Sequence, residues 1–343
     1  MTATISLEPG LPAPSPGKAN PAHADHPITS LLWRRGVTGL ISIVAVAVIV
    51  FFATEVLPGD AATAILGNQA TPARLAQLRH QLGLDHSVMS AFWHWLSGLT
   101  RGNFGTSLSQ SRPVWQVVGP RLDNSVVLVA VSAICSSVIG VVLGAIAAAR
   151  HDRLSDHVMS VFSLVAAALP EFVVGVFVVL LLSIKTATGL PALSLLSPGE
   201  NILSAPDKLV LPVITLVVVT APYVFRMTRA ATIEALASDY AELATLRGVS
   251  KKRLIFRHAL PNAMAPIIQV IGLNILYLAG GIVIVETVFQ YPGIGLLLVG
   301  AVNGRDVPVI QFLVLLLAIF YVVLNIVTDL AVLVVTPRKR YPR

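Results

Sequence analysis

One basic loop between two apolar runs carries the residues whose types and spacing best suit a functional surface. Asp239 and Glu242 stand three residues apart, the spacing of a capping box at the start of a helix. Gly248 follows where a left-handed turn would end that helix. Side chains at positions i, i+3, i+4 and i+7 share one face of a helix. Here they are Tyr240, Leu243, Ala244 and Arg247.

The chemistry available to this stripe is mechanical, because a short helix with a partly apolar face can fit a groove on a partner protein. Beyond Gly248, a second helix is predicted from Ser250 through Arg257 and His258 to Pro261. The segment 226–262 is therefore predicted to be a coupling loop against which a separate motor protein pushes. On spacing alone, an ordinary connection rich in basic residues explains the loop equally well.

The composition indicates which elements must hold this loop in place. The chain has 343 residues, of which 55% are hydrophobic and 12% are charged, and its mean hydropathy is +0.80. Soluble domains carry about 25% charged residues. A helix needs about 20 apolar residues to cross a bilayer, and unbroken apolar runs favour helices over a barrel. The sequence predicts an all-α, polytopic membrane protein with six transmembrane helices, at about 37–56, 125–149, 158–184, 209–225, 263–289 and 309–335.

The distribution of basic residues predicts the orientation of these helices. With the N-terminus in the cytoplasm, sixteen of the 24 Lys and Arg residues fall on the inner side. Most of the others lie in one outer loop at 57–124, which is too long to obey the positive-inside rule. Both termini are therefore predicted to be cytoplasmic, and the net charge of +7 reflects orientation, not nucleic-acid binding. Residues 1–33 contain six prolines and are predicted to be a disordered cytoplasmic tail, which leaves 34–343 as the membrane domain.

The sequence offers no set of residues for catalysis. It contains no G-x-x-x-x-G-K-[ST] motif, so no P-loop of this chain can bind ATP. H-E-x-x-H and G-x-S-x-G motifs are also missing, which argues against an intramembrane enzyme. The single cysteine, Cys135, lies within the second predicted span and excludes an internal disulfide. The chain is predicted to bind no cofactor and no metal, and a membrane scaffold or sensor stays an alternative to a transporter.

Several stretches of the chain, in order, resemble one family of membrane proteins. The segment with Glu242, Gly248 and the run from His258 to Pro261 resembles the EAA motif of bacterial ABC importer permeases. Its second half is similar to the form of that motif in the dipeptide, oligopeptide and nickel permease family. Further stretches that resemble the first permease subunit of that family are 58–60, 78–85, 102–107, 286–295 and 337–338. The residues that depart from the family pattern are Asn103, Glu171 and Leu243.

The resemblance implies the type I ABC importer permease fold and a place in the lipid of the bacterial cytoplasmic membrane. Such a subunit pairs with a second homologous permease, above two cytoplasmic ABC ATPases that bind ATP and Mg²⁺. A substrate-binding protein delivers cargo from outside, and alternating access moves it inward. The implied cargo is a di- or oligopeptide, with nickel chelates or another small solute as the alternative. The residues implied to couple the permease to the ATPase are Asp239, Tyr240, Ala241, Glu242, Leu243, Ala244, Arg247, Gly248, His258, Leu260 and Pro261.

Polar residues inside the predicted spans are candidates for the translocation pathway. A charge at the centre of a membrane helix costs about 2.5 to 3.5 kcal/mol, so Glu171 is predicted to face a cavity or a partner. Its charge favours cationic cargo such as a peptide amino terminus, and a structural hydrogen bond to a neighbouring helix is the alternative. Pro170 predicts a kink beside it, and Glu286 suits an architectural or gating position. The pathway candidates are Pro170, Glu171, Phe172, Asn274, Tyr277 and Glu286.

Overall fold

Helices dominate the computed structural model of the chain, which describes residues 27–56, 71–74, 76, 87–185, 189–197 and 202–335. In chain order they are α1 (Pro27–Val56), α2 (Val88–Thr100), α3 (Val114–Ala149), α4 (Leu154–Ala168), α5 (Glu171–Val178), α6 (Asp207–Leu236), α7 (Asp239–Leu246), α8 (Lys251–Leu254), α9 (Leu260–Asn262), α10 (Met264–Phe289), α11 (Ile294–Asn303) and α12 (Val307–Val335). Two π-helical segments, Val179–Lys185 and Ile255–Ala259, continue α5 and join α8 to α9. The described residues contain no β-strand, so the all-α prediction is confirmed.

Five of the described helices are long and apolar enough to cross a membrane, namely α1, α3, α6, α10 and α12. The predicted third span at 158–184 is formed by two helices, α4 and α5, which meet at 107°. Pro170 has no N–H to continue the helix, and it holds Leu169 in extended backbone. The broken pair, taken as one span, gives the sixth crossing, and the predicted kink at Pro170 is confirmed.

The structure also corrects the predicted ends of three spans. α1 begins at Pro27, since proline suits the first turn of a helix, so residues 27–33 are helical instead of belonging to the tail. α3 begins at Val114 and shortens the predicted outer loop, while α6 continues to Leu236 and shortens the predicted coupling loop. These extensions contain charged residues such as Arg229, so they do not belong to the apolar runs of the sequence. The rest of the predicted tail lies outside the described residues.

Small residues let the spans approach one another closely. Gly140 and Gly144 of α3 lie against α6, where an added Cβ would clash with Val224 and Thr228. At Gly39, α1 packs in the same way against α12. The central core is formed by side chains of α3, α5, α6 and α10, and its members include Leu128, Val174, Leu216, Leu278, Ile282 and Phe289.

The turn that precedes α3 is fixed to the start of α12. Both glycines of the segment 102–107 adopt left-handed backbone, with φ of 75° and 80°. The Asp306 carboxylate accepts four hydrogen bonds from residues 107–109 of this turn. The donors are the N–H groups of Leu108 (3.0 Å) and Ser109 (3.1 Å) and the hydroxyls of Ser107 and Ser109. Three stretches that carried the family resemblance, 58–60, 78–85 and 337–338, lie outside the described residues.

Candidate coupling site and translocation pathway

Helix α7 begins differently from the way its sequence suggests. Its N-cap residue is Ser238, and no side chain caps the helix, so the predicted capping box is wrong. The Ser238 hydroxyl donates instead to the Ala235 carbonyl of α6, at 2.6 Å. Asp239 and Glu242 both lie in the first turn of α7, where the helix dipole stabilises negative charge.

A glycine turn ends α7. Gly248 has φ of 78°, and its N–H donates to the Thr245 carbonyl at 2.9 Å. The N–H of Val249 donates to the Ala244 carbonyl at 3.1 Å. These two bonds form a Schellman motif, in which the last carbonyls of the helix find donors. The predicted left-handed turn is confirmed, and it reverses the chain between α7 and α8.

One side of α7 is buried and the other is open. Ala241 is 1% exposed and packs against the rest of the chain. Leu243 and Leu246 are 56% and 78% exposed, and Tyr240 beside them is also exposed. The sequence stripe missed Leu246, because its i+6 spacing from Tyr240 lies outside the i, i+3, i+4, i+7 pattern. We call Tyr240, Leu243, Leu246 and Arg247 the α7 face, an exposed and partly apolar surface that suits contact with another protein.

The other predicted coupling residues lie on the helical run from α8 to α9. Ser250 is the N-cap residue of α8, and the run continues through a π-helical segment to Asn262. Pro261 is exposed, whereas His258 and Leu260 are half-buried. Leu260 packs on a small cluster at the base of the bundle, formed by Ala231, Ala263 and Ile267. The structure thus brings α7 and this run together at one end of the bundle, between α6 and α10.

Glu171 lies at the break of the third span, as the first residue of α5, and is 7% exposed. Its carboxylate rests on Gly281 of α10, where an added Cβ would clash with it. Tyr277, one helical turn earlier on α10, is close enough for its hydroxyl to interact with that carboxylate. The Tyr277 ring lies 6.0 Å from the ring of Tyr223 on α6, centroid to centroid. Phe172 is exposed at the surface of α5.

Asn274 and Glu286, the other polar candidates of α10, are fully engaged in helix contacts. The Asn274 side-chain amide donates to the Thr220 carbonyl of α6 at 3.1 Å, and the residue is buried. This bond joins α10 to α6. The structure therefore gives Asn274 a bridging position between two helices.

Glu286 occupies an architectural position. Its carboxylate accepts hydrogen bonds from the Ser125 hydroxyl (2.6 Å) and from the N–H groups of Gly295 (2.7 Å) and Leu296 (3.1 Å). The two N–H groups lie in the first turn of α11, where helices leave donors without internal partners. Glu286 thereby holds α3, α10 and α11 together. We call this set of contacts, which extends to Gly293, the Glu286 site.

An ion pair joins the first turn of α4 to α6, and no local sequence pattern indicates it. Arg229 donates to both Asp156 carboxylate oxygens, at 2.6 and 2.7 Å, and Asp156 is 1% exposed. The two residues are 73 positions apart in the chain. The sequence connected Arg229 only with membrane orientation, because a charge pair between distant segments has no local pattern.

The family matches cover both halves of the chain. Residues 140–341 match the family described as "Binding-protein-dependent transport system inner membrane component". Residues 28–129 match its N-terminal companion, described as "Binding-prot-dependent transport system membrane comp, N-term".

Curated relatives match along nearly their whole length. The "Probable peptide ABC transporter permease protein y4tP" of Sinorhizobium fredii (strain NBRC 101917 / NGR234) is 36% identical over 308 residues, which is 90% of this chain and 98% of the relative. The "Glutathione transport system permease protein GsiC" of Salmonella choleraesuis (strain SC-B67) is 34% identical over 304 residues, 88% of this chain and 96% of the relative. GsiC of Escherichia coli (strain K12) is 33% identical over 296 residues, 86% and 94% respectively.

The chain belongs to the family of binding-protein-dependent transport system inner membrane components. It is a multi-pass membrane protein with the type I ABC importer permease fold, and it is a transport component, not an enzyme. The resemblance seen in the sequence is thereby confirmed.

Proposed function

We propose that this chain imports di- or oligopeptides across the bacterial cytoplasmic membrane by alternating access, driven by ATPases on separate chains. The observation that carries the coupling half of the proposal is the α7 face. Exposed leucines on a short helix, held rigidly by buried Ala241 and by the Gly248 turn, suit a cleft in a partner protein. ATP and Mg²⁺ bind to that partner, and this chain holds neither.

The proposed assembly contains four further chains. A second homologous permease forms a heterodimer with this one, two cytoplasmic ABC ATPases dock below, and a substrate-binding protein delivers cargo from the outside. Both termini and α7 then face the cytoplasm, as the excess of basic residues around α7 supports. Closure of the ATPases would move α7, and with it the ends of α6 and α10.

The printed names of the relatives support a peptide cargo, since one is a peptide permease and others transport glutathione, itself a small peptide. Within the chain, Glu171 is the proposed contact for the cationic amino terminus of such a cargo. No described Arg or Lys forms an ion pair with it. Tyr277 and Tyr223 extend a polar strip from it along α10 and α6.

The coupling half is tested by placing a charge on the α7 face. The complete importer, with Leu243→Arg in this chain, is reconstituted in liposomes and supplied with ATP and trialanine. Loss of an apolar anchor at a protein interface typically weakens association tenfold or more, so ATPase retention and trialanine uptake should both fall about tenfold.

The matched control is Leu195→Arg, which changes an equally exposed leucine, 58% against 56%, in the connection before α6. It should leave ATPase retention unchanged. Normal ATPase retention and normal uptake with Leu243→Arg would refute the docking role of the α7 face. Transport of a nickel–histidine chelate, without transport of trialanine or glutathione, would refute the peptide cargo. It would not affect the proposed coupling role of the α7 face.

A further inference from the structure

The two halves of the broken third span have different surroundings. α5 is part of the core, with Val174 and Val178 in the central cluster and Gly175 against the Phe289 ring. α4 lies at the edge of the chain, and its outward side chains, including Phe162 and Val161, are mostly exposed. The position of α4 is therefore set mainly by its packing on α6, with a smaller contact to α3.

Those contacts run along α6. Among the described residues, the side-chain hydrogen bonds that join α4 to another helix are the Asp156–Arg229 pair and one from the Ser163 hydroxyl to the Pro222 carbonyl, at 3.5 Å. On both helices the two points lie seven residues, or about two turns, apart. α4 and α6 thus lie antiparallel with matched register, and the ion pair is much the stronger of the two links.

The geometry of the pair makes it a rigid link. Arg229 uses two N–H groups of its planar guanidinium on both oxygens of Asp156, an arrangement that fixes orientation as well as distance. Asp156 also accepts the N–H of Asp152 at 3.2 Å, so its carboxylate is held from its own side as well. The Asp156 side of the link is buried, whereas the Arg229 side chain is 28% exposed. Loss of Arg229 would leave the buried Asp156 carboxylate without a partner, which is strongly unfavourable.

The pair also lies close to the coupling helix. Arg229 is two turns before the end of α6, and only Ala237 and Ser238 separate that end from α7. Beside the pair, a groove of about 670 Å³ opens between α4, α6 and α10. Its lining includes Ser160, Tyr223, Arg226 and Val270. The groove leaves room for α4 and the inner end of α6 to move relative to α10.

We propose that Asp156 and Arg229 are positioning residues that clamp α4 to α6, so that α4 follows α7 during transport and pivots against α5 at the Pro170 bend. This clamp rests on the proposed docking role of α7. It assigns a motion to each half of the third span. α4 moves with the coupling helix, and α5 stays with the core.

The first test measures transport efficiency in the complete importer reconstituted in liposomes. Asp156→Asn and Arg229→Gln should leave the assembled complex hydrolysing ATP, while trialanine uptake per ATP falls at least about fivefold, the lower end of typical coupling effects. The double variant should lose no more than either single variant, because the two residues act as one link. The control, Arg226→Gln, lies one turn earlier on α6 and should keep the parental ratio.

A purely structural pair would give a different result. The variants would then lower the yield or thermal stability of the complex, and the assembled fraction would transport with the parental uptake per ATP. That outcome would overturn the clamp. If Leu243→Arg uncouples the importer and Asp156→Asn does not, the clamp alone fails. If Leu243→Arg leaves both uptake and ATPase retention normal, the proposed function fails together with the clamp.

The second test needs no transported cargo. Spin labels are placed on α4 at exposed Val161, after α6 at exposed Ala237 and on α5 at exposed Phe177, in a Cys135→Ser background of the whole complex. Between nucleotide-free and vanadate-trapped states, the Val161–Ala237 distance should stay constant and the Val161–Phe177 distance should change. Asp156→Asn should make the Val161–Ala237 distance vary. A Val161–Ala237 distance that already varies with the parental pair, or that stays constant in Asp156→Asn, would contradict the proposal.

Discussion

A Cβ added at Gly248 would meet no atom within 4 Å, whereas a Cβ added at Gly293 would clash with the Glu286 carboxylate. The backbone conformations of the two glycines differ in the opposite sense. Gly248 has φ of 78°, a region that other residues rarely adopt, while Gly293 has φ of −108°, which suits any residue. The turn after α7 therefore needs glycine for its backbone, and the Glu286 site needs glycine for space.

This difference separates two kinds of site in the chain. The Glu286 site satisfies its polar groups within the chain, and its Glu286 and Ser125 side chains are buried. The α7 face leaves apolar side chains open and is held by backbone bonds behind it. Substitutions at the first should act on folding, and substitutions at the second should act on a partner.

The largest effect is expected from Glu286→Ala. It leaves two buried donors, on Ser125 and Gly295, and the half-buried N–H of Leu296 without an acceptor. At about 1–3 kcal/mol for each buried unsatisfied group, the loss of stability should be at least about 2 kcal/mol. Thermal unfolding of the purified protein measures it, with Glu234→Ala on the exposed side of α6 as the control. A midpoint equal to that of the control would show that the Glu286 site does not hold the fold.

Gly293→Ala tests the same site through space alone. The new methyl group must displace the buried carboxylate, and overpacking of this kind costs about 1–3 kcal/mol. Gly300→Ala on α11 is the matched control, because a Cβ there meets nothing within 4 Å. It should be neutral or slightly stabilising. Equal unfolding midpoints for the two variants would show that the Glu286 site does not need glycine at position 293 for space.

The smallest effect on folding is expected at Gly248. Gly248→Ala should strain the turn by about 1–2 kcal/mol, which lowers the unfolding midpoint less than Glu286→Ala does, and it should weaken ATPase retention. Gly248→Asn should retain more of the parental ATPase binding, since asparagine adopts left-handed backbone more readily. If Ala and Asn behaved alike, backbone geometry would not be the reason for glycine at this turn.

Apolar runs in the sequence predict most of the bundle, because lipid imposes a length and a composition on every crossing helix. The ends of α3 and α6 could not be predicted in this way. They extend beyond the apolar runs through polar residues such as Arg121 and Glu234, which tertiary packing retains in the helix. The kink at Pro170 was predictable, since the effect of proline is local.

In the candidate site, too, local features could be predicted from the sequence and contacts between distant segments could not. The Gly248 turn could be predicted because the Schellman motif depends on neighbouring residues, but the N-cap could not, because Ser238 and Asp239 were both plausible. The bond from Ser125 to Glu286 spans 161 positions, and no local pattern reports it. Pairs of this kind are set by how the helices pack, and the sequence shows only the two separate members.

The Asp306 carboxylate gathers four donors from the turn that precedes α3, and it lies immediately before α12. Any load placed on that turn is therefore passed to α12. Because α12 packs against α1 at Gly39 and shares the bond from Gln311 to Thr54, at 2.8 Å, the first span receives part of the same load. The turn before α3, α12 and α1 thus form one mechanical unit, and α12 links this unit to α10, where Gly272 lies against Thr328.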